Sequence, residues 1–339
     1  MNTMTSVVIH GQGDLRVENH AIPEPGPGEV RLRVAYVGVC GSDLSYYHRG
    51  AVGSFVVREP LVPGHELSGT VEHDPGGRWE AGTPVTVHPA TFGTSQPGLA
   101  DRPHLWPQGA YLGSASTWPH TQGAMSQYFV VRDDMVRPLP PGLEIRTAAL
   151  AEPLGVALHA IRVAGGVSGR RVLVSGAGPI GLLAAAGAIA EGAGAVVVTD
   201  IQSAPLQRAK QLGAAATINV STDTVPSESF DVVLECSGAP AGVSASLEAA
   251  RRAGIVVQVG MLPSEPAPIN IAPLVAKEVQ LRGAFRFNQE IDDAIGMLAA
   301  HPDIAQVVTH VYGAAQAHTA FDTASDSSAS SKVLVAMWE

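Results

Sequence analysis

The sequence predicts an α/β chain of two domains, a mostly β first half and a second half built as a doubly wound parallel sheet. Three observations predict it. The chain has 339 residues, more than one hydrophobic core usually serves, since domains commonly hold about 100–200 residues. Near residue 150 the texture changes from short strands broken by Gly and Pro to segments rich in Ala, Gly and Val. Beyond that point apolar strands alternate with helical stretches at the spacing of βαβ units.

In residues 1–150, the run EVRLRVAYVGV at 29–39 alternates and then turns apolar, the pattern of a strand. Residues 67–72 and 83–88 read as further short strands. The Gly and Pro turns between them suggest a compact sandwich or barrel. Residues 89–122 hold Pro, Gly, Ser, Thr and His without periodicity and read as a long loop, a length usually kept for function. Within 151–299, residues 171–175, 195–199, 217–220, 231–235, 255–259 and 279–284 read as strands, with helices at 179–191 and 205–212. The last segment, about 300–339, returns to a helix and a strand and is expected to pack back onto the first domain.

Composition excludes several classes. The formal net charge is −10, with only 21 Lys and Arg and no basic run, so nucleic acid is not an expected partner. Cys40 and Cys236 are too few for a disulfide scaffold and suit a reducing cytoplasm. Residues 1–10 lack the basic stretch and apolar core of a signal peptide. The longest apolar stretch, near 180–190, falls short of the ~20 residues that span a bilayer.

Gly176-Ala177-Gly178-Pro179-Ile180-Gly181 is a GxGxxG run. Alone it is weak in a Gly-rich chain. Here it follows the strand RVLVS, opens a helix, and is followed 19 residues after Gly181 by Asp200 at the end of the next strand. Gly176 permits the tight turn, Gly178 lets the backbone approach a pyrophosphate, and Gly181 lets the helix pack close to its strand. The helix N-terminus offers unpaired N–H groups to the diphosphate. Asp200 would accept hydrogen bonds from ribose hydroxyls and repel a 2′-phosphate, which favours NAD over NADP.

A second constellation lies earlier. Cys40 opens Cys-Gly-Ser-Asp after an apolar run, His65-Glu66 follows a Pro-Gly turn, and Glu152 sits at the domain boundary. Thiolate, imidazole and carboxylate are ligand types that Zn2+ accepts. The spacing is too wide for a local clip, and each residue has a plain alternative. A lone Cys is most often a small buried hydrophobe, and a His-Glu pair by a turn is usually exposed. The pair is not a zincin helix, because position 69 is Gly.

These motifs together resemble the zinc-dependent medium-chain dehydrogenase/reductase family over the whole chain. The resemblance rests on CGSD (40–43), GHExxG (64–69), Glu-Pro-Leu (152–154) and GAGPIG (176–181). GAFRF (283–287) narrows it to the polyol branch; residues 40–55 look like its sorbitol and, more closely, its L-idonate dehydrogenases, and residues 113–128 and 151–160 look like the latter. It implies a GroES-like catalytic domain and a Rossmann domain. It implies one catalytic zinc held by Cys40 and His65, with Glu66 and Glu152 as the carboxylates at the metal. Ser42 would bond the reacting alcohol and begin proton release. Tyr46 and Arg286 would line the substrate pocket, with His120 and Arg49 as secondary candidates for a carboxylate. Val259, Gly260, Met261 and Phe285 would stand near the nicotinamide.

Three departures qualify the resemblance. Relatives usually carry a structural zinc on four clustered cysteines, but the equivalent stretch around 93–107 has no Cys, so that site is expected to be absent and His104 and Trp106 to pack or face solvent. Ser45 stands where simple alcohol dehydrogenases place a proton-relaying histidine. Ala204 and Pro205 replace an Arg that often follows the ribose-binding acid, with Arg208 as a substitute if its helix points it inward. The implied reaction is oxidation of L-idonate at C5 to 5-keto-D-gluconate, with L-iditol, sorbitol, xylitol and galactitol as alternatives. A silent dinucleotide-binding protein or a zinc-free quinone reductase would not need Cys40, His65 and Glu152 together. A homodimer or homotetramer joined through 274–285 is the expected assembly.

Overall fold

The computed structural model describes residues 3–339; Met1 and Asn2, part of the segment read for a leader, lie outside the described residues. The chain forms two compact units. One holds the residues to Glu152 with Val308–Asp326 and Lys332–Glu339, and the other holds Pro153–Val307 with Ser327–Ser331. Helix Glu290–Ala300 and the 3-10 segment Pro302–Val307 thus belong to the second unit.

The first unit is organised by strand Glu29–Gly38. Val30, Leu32, Val34 and Val37 are buried along it. Glu66–His73 pairs antiparallel along one edge, and on the other edge Tyr128–Arg132 pairs with its first half and Lys332–Ala336 with its second half. Pro84–Val87 and Val136–Pro138 extend the sheet beyond Glu66–His73, and Val308–Gly313 extends it beyond Lys332–Ala336. The expected short-strand sandwich or barrel is therefore a seven-stranded sheet that branches at one strand, with a separate hairpin of Thr3–Gly11 and Asp14–Ala21. Branching is possible because the central strand is long and shifts register between Val34 and Tyr36. Two pairings matter for the site. Gly38 pairs with both Glu66 and Leu334, so the strand that leads to Cys40 ends beside Glu66 and just ahead of Lys332.

The second unit is a six-stranded parallel sheet. Its spatial order is Ala216–Asn219, Ala195–Asp200, Arg171–Ser175, Phe230–Glu235, Ala250–Gln258 and Gln280–Gly283. In order of appearance this reads 3-2-1-4-5-6, the Rossmann arrangement, with the topological switch between Arg171–Ser175 and Phe230–Glu235. Val172, Val174, Val232 and Leu234 are fully buried, as strands covered on both faces require. Ala250–Gln258 starts five residues earlier than the apolar pattern predicts. Arg251, Arg252 and Gly254 hide that start, where Ala253 takes a left-handed φ of 55°. Helix Pro179–Ala190 is apolar on nearly every side and has Gly187 where Leu154, Leu158 and Ile161 of helix Ala151–Val163 press against it.

Glu290 ties helix Glu290–Ala300 to helix Ala151–Val163. Its carboxylate accepts the Asn288 N–H at 2.6 Å and lies 3.0 Å from His159 Nδ1 and 3.2 Å from Arg162 Nη1. Burial raises its pKa, but the His159 hydrogen bond, the Asn288 N–H and the His159 charge outweigh burial and hold it at about 2. A free Glu titrates near pH ~4.3. The ionised group therefore stabilises the fold fully above that pH, and the contribution is lost as pH falls toward the folded value. Glu290→Gln is expected to lower the urea midpoint at pH 7, with the gap to wild type narrowing steadily below about pH 4.3. A gap of constant size down to pH 3 would contradict the assignment.

Candidate metal and dinucleotide sites

Cys40 is the N-cap of helix Gly41–Arg49, His65 immediately precedes strand Glu66–His73, and Glu66 opens that strand. Ligand atoms of Cys40, His65 and Glu66 lie within 4.8 Å of one another. Asp43, fully buried, holds the two turns together: Oδ2 accepts the Cys40 N–H at 2.9 Å and Oδ1 accepts the Gly64 N–H at 3.2 Å. Gly64 has a left-handed φ of 95°, which turns the chain into His65. A Cβ at Gly38 would overlap the Glu66 carboxylate, so glycine there makes room for it.

The surroundings of these donors were only partly foreseen. Lys332 Nζ, buried, lies 2.7 and 2.6 Å from the two Glu66 oxygens and donates to Val39 O at 3.1 Å. Glu152, in the first turn of helix Ala151–Val163, is buried and accepts the Tyr111 phenol on Oε1 at 2.5 Å. The Tyr111 ring meets His65 edge-on, with centroids 5.4 Å apart. Asp43 had a signal in its position three after Cys40, the spacing of a capping box. Lys332, the one charge at the start of an apolar run, also had one. Tyr111 had none.

The pocket is strongly acidic in make-up. Burial works against a charged His65, yet the neighbouring Cys40 charge and contact, with Asp43 and Glu152, push its pKa up to about 10. Burial raises Glu152, assisted by Glu66 and opposed by His65, Tyr111 and Lys332. Burial likewise raises Asp43. His65 Nδ1 is buried without a hydrogen-bond partner among the described residues. Thiol, imidazole and carboxylate around a site that favours positive charge fit a divalent cation, and zinc in particular.

Other expected residues of this unit fall into place differently. Ser42 is half-buried in the first turn of its helix. Tyr46, expected to line a substrate pocket, is buried, and its hydroxyl accepts the Ala115 N–H at 3.0 Å and contacts Ser114 Oγ at 3.3 Å. His120 uses both ring nitrogens internally, accepting the Arg58 N–H at 2.9 Å and facing Thr117 O at 3.0 Å. The polar atoms of both are thus hydrogen-bonded within the unit, and His120 also lines a cleft with Arg58, Ser116 and Trp118. Arg49 donates to Ser45 Oγ at 2.6 Å, and Ser45 donates to Gly41 O. The cysteine-free stretch closes through turns, with Thr94 N–H on Pro107 O at 3.0 Å and the Trp106 indole on Leu99 O at 2.7 Å.

In the second unit, Gly176 leaves strand Arg171–Ser175 with a left-handed φ of 94°, and a Cβ at Gly181 would overlap Gly176 O. Gly178 caps helix Pro179–Ala190 and faces open space, the cradle that a diphosphate needs; Pro179 and Ile180 are half-buried behind it. Asp200 accepts Ala177 N–H at 2.8 Å and Gln202 N–H at 2.9 Å, so the acid also shapes the glycine turn. At the switch, buried Glu235 accepts Ser237 N–H at 3.0 Å, Gly238 N–H at 3.1 Å and Gln258 Nε2 at 2.6 Å. Its backbone oxygen receives the N–H groups of Val259 and Gly260, both at 2.9 Å. Met261 is 80% and Phe285 46% exposed. Arg286 has a left-handed φ of 51°, with its guanidinium 4.9 Å from the Phe285 ring centre. Arg208, expected as a substitute only if its helix points it inward, has its guanidinium on the carbonyls of Ser327, Ser328 and Ser330 at 2.9–3.0 Å.

Comparison with known proteins follows the same two-part layout. Residues 26–141 match the alcohol dehydrogenase GroES-like domain, and residues 179–300 match the zinc-binding dehydrogenase domain. Sorbitol dehydrogenase of Macaca fascicularis is 38% identical, with 94% of this chain and 92% of the relative covered. The chain belongs to the zinc-dependent medium-chain dehydrogenase/reductase family, in its polyol branch. Among solved structures, L-idonate 5-dehydrogenase from Escherichia coli superposes on this dehydrogenase with a TM-score of 0.92, at 30% identity, covering 99% of this chain and 98% of that one. A zinc-binding dehydrogenase from Sinorhizobium meliloti bound to NADP gives 0.88 at 27% identity, covering 99% and 100%. Among the described residues of this family member, no helix is long and apolar enough to cross a membrane.

Proposed function

We propose that this dehydrogenase oxidises a secondary alcohol of a sugar acid with NAD as acceptor, and that L-idonate, oxidised at C5 to 5-keto-D-gluconate, is its substrate. The observation that carries the reading is the convergence of Cys40, His65 and Glu66, drawn from two separate turns, within 4.8 Å. Cys40, His65 and Glu66 would hold the zinc, and the glycine turn at 176–181 with Asp200 would hold the dinucleotide. When bound, zinc supplies Lewis-acid activation of an alcohol and the dinucleotide a two-electron acceptor. The chain supplies the rest. The Ser42 hydroxyl accepts the alcohol proton and passes it to water, because Ser45 offers no imidazole relay. The rigid strand ends hold the donors in place, so the substrate meets a fixed array rather than one that must reorganise. Arg286 suits a carboxylate, which a guanidinium can grip through two parallel hydrogen bonds. Asp200 disfavours a 2′-phosphate, and Arg208 is committed elsewhere, which supports NAD as the working cofactor.

A second reading is a sorbitol or L-iditol dehydrogenase, favoured by the higher identity to the sorbitol enzyme, 38% against 30%. Turnover of L-idonate, L-iditol, sorbitol, xylitol and galactitol with NAD and with NADP separates the two, read as reduced nicotinamide. The expected ranking puts L-idonate with NAD first; a sorbitol rate far above the idonate rate overturns it. Metal analysis of the same preparation is expected to give one zinc per chain. The two free cysteines suit a reducing cytoplasm. The edge strand Gln280–Gly283, with Leu281 exposed, is the surface we assign to homodimer or homotetramer assembly.

A further inference from the structure

We infer that Tyr111 is a positioning residue that keeps the Glu152 carboxylate out of the metal-donor set. The inference rests on the reading of Cys40, His65 and Glu66 as that set. Glu152 is buried like His65 and Glu66, more so than Cys40, and is of the same chemical type as Glu66, yet the group within 4.8 Å leaves it out. Its hydrogen-bond partner among the described residues is the Tyr111 phenol, at 2.5 Å from Oε1. A hydroxyl that donates to a charged oxygen at this distance makes a strong bond. Lys332, the buried ammonium of the pocket, is engaged: it binds Glu66 and Val39 O.

The placement of Tyr111 gives the bond its leverage. Strand Ala110–Tyr111 pairs with Ala90–Thr91, so a hydrogen-bonded ladder fixes the backbone. The ring, 5% exposed, is wedged edge-on against His65. Tyr111 therefore links Glu152 to the imidazole of the set, its phenol on the carboxylate and its ring on His65, whereas Asp43, the other buried acid nearby, is held by the Cys40 and Gly64 N–H groups. A catalytic zinc keeps one position open, and a buried carboxylate with no other donor is the group best able to close it. Tyr111 thus protects the open position from the protein's own acid. Nothing in the loop texture of 89–122 marks this residue, and the ring alone cannot do the task.

Tyr111→Phe tests it, because the ring stays and only the donor goes. Zinc is the probe. Affinity is read by competition with a chromophoric chelator on metal-stripped protein, and melting is recorded with and without zinc. The expected result is zinc bound about tenfold more tightly than by wild type, since the freed carboxylate turns to the metal. Metal-free Y111F should melt about 2–4 °C below metal-free wild type, with the difference closing when zinc is added. kcat with the best alcohol should fall. On a Glu152→Gln background the same change should leave zinc affinity unaltered, which shows that Tyr111 acts through Glu152. Unchanged or weaker zinc binding by Y111F, or an equal melting loss with and without zinc, overturns the inference and leaves Tyr111 as packing alone. Wild-type protein that takes up no zinc overturns the donor-set reading itself, and this inference with it.

Discussion

Lys332→Met is expected to cost about 3–5 kcal/mol of stability, the range found when one partner of a buried ion pair is removed. Total stability of a domain is only about 5–15 kcal/mol, so the first unit should melt roughly 10 °C lower or fold poorly at growth temperature. The reason lies in burial: Lys332 and Glu66 are 2% and 1% exposed, and water cannot replace the lost ammonium. The Glu66→Leu, Lys332→Met double variant separates two explanations. Exchanging a whole buried pair for apolar groups is often close to neutral. Its melting temperature should therefore recover most of the loss, while zinc binding stays weak because a donor is gone. A single K332M protein as stable as wild type by calorimetry would show that Glu66 finds another partner.

His65→Ala should have the larger effect on chemistry. The imidazole is the nitrogen donor grouped with a thiol and a carboxylate, and its removal opens the cluster. Zinc affinity should fall by at least about 100-fold in chelator competition. Loss of several kcal/mol of Lewis-acid stabilisation should lower kcat/KM by about 10³-fold or more. Chelation of wild-type protein should reproduce the loss, and zinc should restore wild type but not H65A. An H65A enzyme that retained one tightly held zinc would remove the donor assignment.

Much of this was legible in the residues, and the boundary of legibility is physical. Period and punctuation reveal elements whose environment is uniform. The strands around Val172 and Val232 are buried on both faces and read as plain apolar runs, and the glycine turn reads because only glycine fits its φ angles and close approaches. The start of Ala250–Gln258 was hidden because a left-handed Ala253 and two arginines break the pattern without ending the strand. At the site, Cys40, His65 and Glu66 were visible as chemical types, but their meeting was not, since tertiary pairing of Gly38 with Glu66 and of Asp43 with two turns brings them together. The backbone contacts of Tyr46 and His120 were not legible, because a polar tip in a loop-rich domain can serve a neighbour's backbone as readily as a ligand. Tyr111 sits in an aperiodic stretch, where no sequence rule predicts which aromatic faces inward.

The lysine that neutralises Glu66 is 266 positions away in the chain. During synthesis from the N-terminus, the thiol, the imidazole and both acids emerge long before it, and the whole second unit is made in between. Until the last strand docks, the half-built pocket gathers negative charge with no ammonium to offset it. Neutralisation of Glu66 therefore waits on the docking of Lys332–Ala336, and the parallel-sheet unit can fold while that charge is still unanswered.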